Sequence, residues 1–144
     1  MYKRIMAAFD GSTHSDLALE TACTLAVSLG AELHIFNAPQ VIEDTIIVGY
    51  STVPIQPTKE RVELACREIS KQATKITDRF QELEIEYHFA AGDPGSMIVD
   101  QAKENEIDLI VLGRRGLGQF SGLLVGSTTT RVSQLADCAV LTVK

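Results

Sequence analysis

Three glycines, Gly113, Gly116 and Gly126, with Ser127, Thr128 and Thr129 directly after the last, form the segment richest in chemistry in this 144-residue chain. An apolar, strand-like run from Asp108 to Leu112 precedes them, and a helix-like stretch follows. Strand, glycine loop and hydroxyl-bearing helix start is an arrangement that holds phosphates. Glycine lets backbone N–H groups approach an anion without a Cβ in the way, and a helix N-terminus adds partial positive charge. The segment is not a P-loop, because it has no G-x-x-x-x-G-K-[ST] pattern and no lysine inside it. The same spacing suits a plain surface loop; the flanking strand and helix start are what point to an anion. Arg114 and Arg115 stand inside the loop, where either meets a phosphate charge or solvent, and Arg115 reads as the solvent-facing one.

The elements that must position this loop follow from hydrophobic period and turn chemistry. Arg4 to Phe9 is a short apolar run that stops at the turn and cap cluster Asp10-Gly11-Ser12-Thr13. Ala18, Ala22, Leu25, Ala26 and Leu29 then repeat at helical spacing up to Gly30, and Glu32 to Phe36 reads as a second strand. Ala38 to Pro57 has no clear period, a long connection for a compact domain, and its Thr45 to Val48 stretch suits either a lid or partner surface or a segment tucked on the core. Thr58 opens a second helix carrying Val62, Cys66, Ile69, Ala73, Ile76 and Phe80, and Glu84 to Phe89 alternates as a third strand. Gly92-Asp93-Pro94 supplies a turn, an N-cap and an N1 proline ahead of a helix over Met97 to Glu104. Asp108 to Leu112 is the fourth strand, Ser127 to Ala136 the last helix and Ala139 to Val143 the fifth strand.

Five short apolar strands alternating with four helices predict a single α/β domain over residues 1–144: a doubly wound, five-stranded parallel sheet in the order 3-2-1-4-5 with helices on both faces, Rossmann-like. Ligands of such sheets collect beyond the C-terminal strand ends where the order reverses, here between the first and fourth strands. Asp10 and the Gly113 loop both fall there. An acidic residue so placed accepts from a ribose hydroxyl or faces a phosphate-bound Mg²⁺; Asp10 equally suits a cap just outside the first helix.

Composition narrows the classes. Hydrophobic residues make up 45% and charged residues 22%, an ordinary globular balance. A net charge of −6 leaves no basic face for a nucleic-acid backbone. No apolar run approaches the roughly 18 residues of a membrane span, and the start, Met1-Tyr2-Lys3-Arg4, carries no signal-peptide core. Cys23, Cys66 and Cys138 are far apart and read as buried apolar residues of a reduced, cytoplasmic protein. His14, His34 and His88 show no paired-ligand spacing on a helix, so no metal site is expected from them.

The chain resembles the universal stress protein family, and within it the nucleotide-binding branch. The resemblance rests on Arg4-Ile-Met-Ala-Ala-Phe-Asp10-Gly-Ser, on Gly92-Asp93-Pro94, on G-x2-G-x9-G-[ST] at Gly113, Gly116, Gly126 and Ser127, and on the tail Cys138-Ala-Val-Leu-Thr-Val143. It implies an adenine nucleotide alpha hydrolase-like fold and ATP, with Mg²⁺, as ligand. On this resemblance Asp10 contacts the ribose, Ala8 and Ile35 line the adenine, and Leu112 and Gly113 end the fourth strand beside the nucleotide. Gly116, Gly126, Ser127, Thr128 and Thr129 wrap the phosphates. It also implies a homodimer through Ala139 to Val143, and an exposed apolar edge strand needs such cover.

The leading expectation is therefore an ATP-binding, nucleotide-dependent stress-response or regulatory module. A nucleotide-free dimeric interaction protein and a slow ATPase are the alternatives. A dedicated phosphotransferase is disfavoured, since the loop offers no Walker lysine and no evident base beside Asp10. No G-x-S-x-G elbow supports acyl transfer.

Overall fold

A computed structural model describes residues 1–38, 44–55, 57–116 and 125–144. The strands of the main sheet are β1 (Arg4–Ala8), β2 (Glu32–Asn37), β5 (Ile85–Phe89), β6 (Leu109–Gly113) and β7 (Ala139–Val143). The helices are α1 (Thr13–Leu29), α2 (Lys59–Thr77), α3 (Pro94–Glu104) and α4 (Ser127–Leu135). The sheet runs β5-β2-β1-β6-β7 with every pairing parallel. Counted along these five strands, that is the 3-2-1-4-5 order expected from the sequence.

Alternation along the strands divides the core into two layers, because successive side chains point to opposite faces. Ile5, Ala7, Leu33, Ile35, Leu109 and Val111 pack with Ala18, Leu19, Ala22, Cys23 and Ala26 of α1 and Ala73 of α2. Met6, Phe36, Ile110 and Leu112 face the other way, onto Ile98, Val99 and Ala102 of α3 and Val132 of α4. The central strands are thus buried on both faces, while β5 and β7, at the edges, are half-exposed.

Local chemistry sets the helix ends where the cap signals placed them. Ser12 Oγ accepts from Ser15 N at 3.2 Å, Thr58 Oγ1 from Arg61 N at 3.3 Å, and an Asp93 carboxylate oxygen from Ser96 N at 2.9 Å. Each such cap contributes about 1 kcal/mol. Gly30 closes α1 in the left-handed region at φ 63°, its N–H reaching Ala26 and Val27 carbonyls. Pro94 is the first residue of α3, so that helix begins one turn before the apolar repeat marks it.

One region departs from expectation. Within Ala38 to Pro57, read as aperiodic, lie β3 (Asp44–Val48) and β4 (Ser51–Ile55), an antiparallel hairpin in which Val48 pairs with Ser51 across Gly49 and Tyr50. The two β-branched runs flanking Gly49, at φ 66°, are its signal; Pro54 inside the second run obscures it. The remaining residues of this stretch that fall at 39–43 and 56 lie outside the described set.

Candidate functional site

The sheet order reverses beside β1, and there the first turn of α1, the end of β6 and the start of α4 converge on a cleft. Ala8, Phe9, Asp10 and Ser15 form one side; Leu112, Gly113, Arg115, Gly116, Thr128 and Thr129 form the other. Phe36, Ala38, Pro94 and Ile98 complete an apolar end. The space is about 520 Å³, counting the part open to solvent. Apolar residues at one end and backbone amides, hydroxyls and charge at the other suit a ligand with a flat apolar part and an anionic part.

Asp10 braces the start of α1 and also lines the cleft. Its Oδ1 accepts from Ser12 N at 2.9 Å, and its own N–H donates to Ser15 Oγ at 3.3 Å, so it braces the turn before α1. Its Oδ2 faces Gly116 across the cleft, 2.5 Å from the point a Cβ there would occupy. Asp16, in the first turn of α1, has its carboxyl pKa raised by partial burial and then by the charge of Asp10.

The three motif glycines have different reasons. A Cβ on Gly113 would stand 2.8 Å from the His14 carbonyl carbon, carbonyl oxygen and Cβ, so this glycine lets α1 close on the end of β6. Gly116 admits the Asp10 carboxylate. Gly126 is under no such constraint: among the described residues the nearest atoms to a Cβ would be Arg114 O and Arg115 Cα, both at an ordinary 3.5 Å. It is the N-cap of α4 at φ −69° and ψ 154°, with no side-chain cap. The first-turn N–H groups of a helix have no intrahelical partner, so α4 presents donors and its positive end here. Gly126 N donates to Arg114 O at 2.8 Å, and the Thr129 hydroxyl donates to Gly113 O at 2.8 Å, tying α4 to β6.

Of the residues expected in a site, the cleft gathers Ala8, Asp10, Leu112, Gly113, Gly116, Thr128 and Thr129. Gly126 and Ser127 sit at its rim as the cap and first residue of α4. Ile35 is different: its side chain, 2% exposed, points into the layer under α1. Phe36, the next residue and therefore on the opposite face, takes the place at the cleft, with Ala38 beyond it. Phe36, Ser15, Pro94 and Ile98 were not expected at the site from the sequence; strand alternation gives the parity of 35 and 36 but not which face is the ligand's. Arg115 also lines the cleft rather than facing solvent. The Nε atoms of Arg114 and Arg115 are both buried without a hydrogen-bond partner among the described residues. Residues 117–124 of the loop lie outside the described set.

Comparison with known proteins agrees with this architecture. The model of the universal stress protein family matches residues 1–144. The universal stress protein YxiE of Bacillus subtilis is 32% identical, with all of both chains covered. A universal stress protein of Thermus aquaticus is 31% identical, again over the whole of both chains. Among solved structures, a universal stress protein in complex with cAMP superposes with a TM-score of 0.68 at 25% identity, covering 99% of this chain and 96% of that one. One from Archaeoglobus fulgidus in complex with dAMP reaches 0.70 at 23% identity, covering 99% and 98%, and agrees in fold. Family match, relatives and sheet order coincide over the full length, and the chain belongs to the universal stress protein family.

Proposed function

We propose that this chain binds an adenine nucleotide, ATP with Mg²⁺, in the cleft between β1 and β6 and acts as a nucleotide-dependent regulatory module. One observation carries the reading: Asp10 and the uncapped start of α4 face one cleft whose other end is apolar. The base would lie against Phe36, Ala38 and Ile98, and the ribose beside Asp10. The phosphates would meet the backbone at Gly113, Gly116 and Gly126, the first turn of α4, and Arg114 or Arg115. Relatives holding cAMP and dAMP, both adenine nucleotides, support the choice of base.

Bound Mg²⁺ would offset phosphate charge, and the Asp10 carboxylate, which lines the cleft, fits that role. Efficient phosphoryl transfer needs an aligned base and a charge clamp on the leaving group. Asp10 is engaged with the α1 turn, so hydrolysis is expected to be slow and binding to be the function. The apolar edge strand β7, with Leu141 36% exposed, supports a homodimer formed through Ala139 to Val143.

The test is thermal unfolding of nucleotide-stripped protein with and without Mg-ATP. A saturable rise in melting temperature in the parent, reduced in Asp10→Asn, supports the reading. No rise in well-folded parent overturns it and favours the nucleotide-free interaction protein.

A further inference from the structure

The histidines that look unrelated along the chain meet across the sheet. His34 on β2 is in register with Glu86 on β5, and Phe36 with His88. By strand alternation all four project to the α3 side. His34 Nδ1 lies 2.9 Å from His88 Nε2, the rings are 5.2 Å apart between centroids and 15° from parallel, and a Glu86 carboxylate oxygen is 3.7 Å from each of those nitrogens. The three ligand atoms fall within 4.8 Å of one another. His34 is 4% exposed, His88 half-buried and Glu86 open to solvent, so the group has a fixed floor and an entry path.

We infer that His34, Glu86 and His88 form a binding site for a borderline divalent transition cation such as Zn²⁺, separate from the nucleotide cleft. Imidazole and carboxylate donors together suit Zn²⁺ rather than Mg²⁺ or Ca²⁺, which prefer all-oxygen shells. Around tetrahedral Zn²⁺ at about 2.0–2.1 Å, ligand atoms stand about 3.3–3.4 Å apart. The two nitrogens are a few tenths of an ångström closer than that and the carboxylate a few tenths farther, adjustments that side-chain rotation supplies. Three protein ligands leave a fourth position for water.

The far side of His34 carries an independent sign. Its Nε2 is buried with no hydrogen-bond partner among the described residues, and the nearest anionic oxygen is Glu32 Oε2, 3.9 Å away. A rotation of the exposed Glu32 side chain that brings its oxygen about 1 Å closer would let it accept from Nε2, as outer-shell carboxylates do for metal-bound histidines. With Nε2 protonated toward Glu32, Nδ1 presents its lone pair to the space between His34, His88 and Glu86. Glu32 also meets Arg4 Nε at 3.1 Å. The placement also bears on the cleft, because His88 sits opposite Phe36, the residue at its apolar end.

The test uses tag-free full chain, stripped of metal by chelator and of nucleotide, so that no phosphate holds the ion. Calorimetric titration with Zn²⁺ alone should give one site per chain. His88→Gln and Glu86→Gln should each weaken it by at least about tenfold, since loss of even an outer-shell partner costs that much. Glu86 is exposed, so Glu86→Gln remains informative if His88→Gln folds poorly, which circular dichroism reports. Asp10→Asn should leave the Zn²⁺ affinity unchanged. Absence of Zn²⁺ binding by the parent, or equal binding by parent and both variants, overturns the assignment and leaves a hydrogen-bonded imidazole pair.

Discussion

Gly113→Ala isolates how closely α1 rests on the end of β6. The added Cβ would lie 2.8 Å from three atoms of His14, two of them backbone. Carbon contacts settle at about 3.5–4.0 Å, so a gap of roughly 0.7 Å must open. His14 belongs to the first turn of α1, whose Ser12 cap and Asp10 turn resist a local adjustment, so the helix start must shift as a unit. Overpacking of this kind costs about 1–3 kcal/mol. At about 4 °C per kcal/mol for a chain of this size, the melting temperature should fall by about 4–12 °C. The control is Gly126→Ala, where the nearest atoms stand at 3.5 Å and the backbone angles suit alanine; its cost should stay below about 1 kcal/mol. Melting curves of parent and both variants, followed by circular dichroism, measure the difference. If Gly113→Ala melts no lower than Gly126→Ala, the close approach of α1 to β6 is wrong.

Three other predictions concern charge, thiols and assembly. Backbone N–H bonds from Lys3 and Arg4 hold the Asp108 carboxyl below the usual carboxylate range, and the Ser96 N–H does the same for Asp93. Their contribution is therefore complete above the unfolded carboxylate value of about 4 and is lost as pH falls through the lower folded values. Between about pH 4 and pH 2 the parent should lose melting temperature more steeply than an Asp93→Ala, Asp108→Ala double variant; parallel profiles would contradict this. Cys23 is fully buried and its thiol is pushed up to about 11, chiefly by burial; native-state labelling with a disulfide reagent should mark half-buried Cys66 or Cys138 first, and early labelling of Cys23 would show that α1 opens readily. Leu141→Lys on β7 should shift the chain toward monomer in light scattering while the circular dichroism spectrum stays that of the folded parent, and an unchanged mass would exclude β7 as the dimer edge.

The sheet order and helix ends were legible because they are written in local chemistry: Ser12, Thr58 and Asp93 as caps, Gly30 as stop, and apolar runs of strand length between them. The cleft was legible because its main parts, Asp10 and the Gly113 loop, directly follow strands whose order reverses beside β1. What escaped is two-dimensional. Alternation separates Ile35 from Phe36, but only the packing of α3 and α4 shows which of the two reaches the cleft. His34 and His88 are 54 positions apart, and ligand spacing along one helix or strand cannot reveal a pair formed across β2 and β5. The hairpin at Asp44–Val48 and Ser51–Ile55 was hidden by Pro54, which an isolated two-stranded ribbon tolerates and an inner strand does not.

The most direct test of the nucleotide site is calorimetric titration of stripped protein with Mg-ATP, run beside Gly126→Val. The valine keeps allowed backbone angles, its Cβ meets Arg114 O and Arg115 Cα only at ordinary contact, and its methyls would crowd phosphates at the start of α4. Saturable one-site binding by the parent, lost in a variant with unchanged circular dichroism, is the predicted result. Equal binding by both proteins would place the phosphates elsewhere, and none by well-folded parent would contradict nucleotide binding itself.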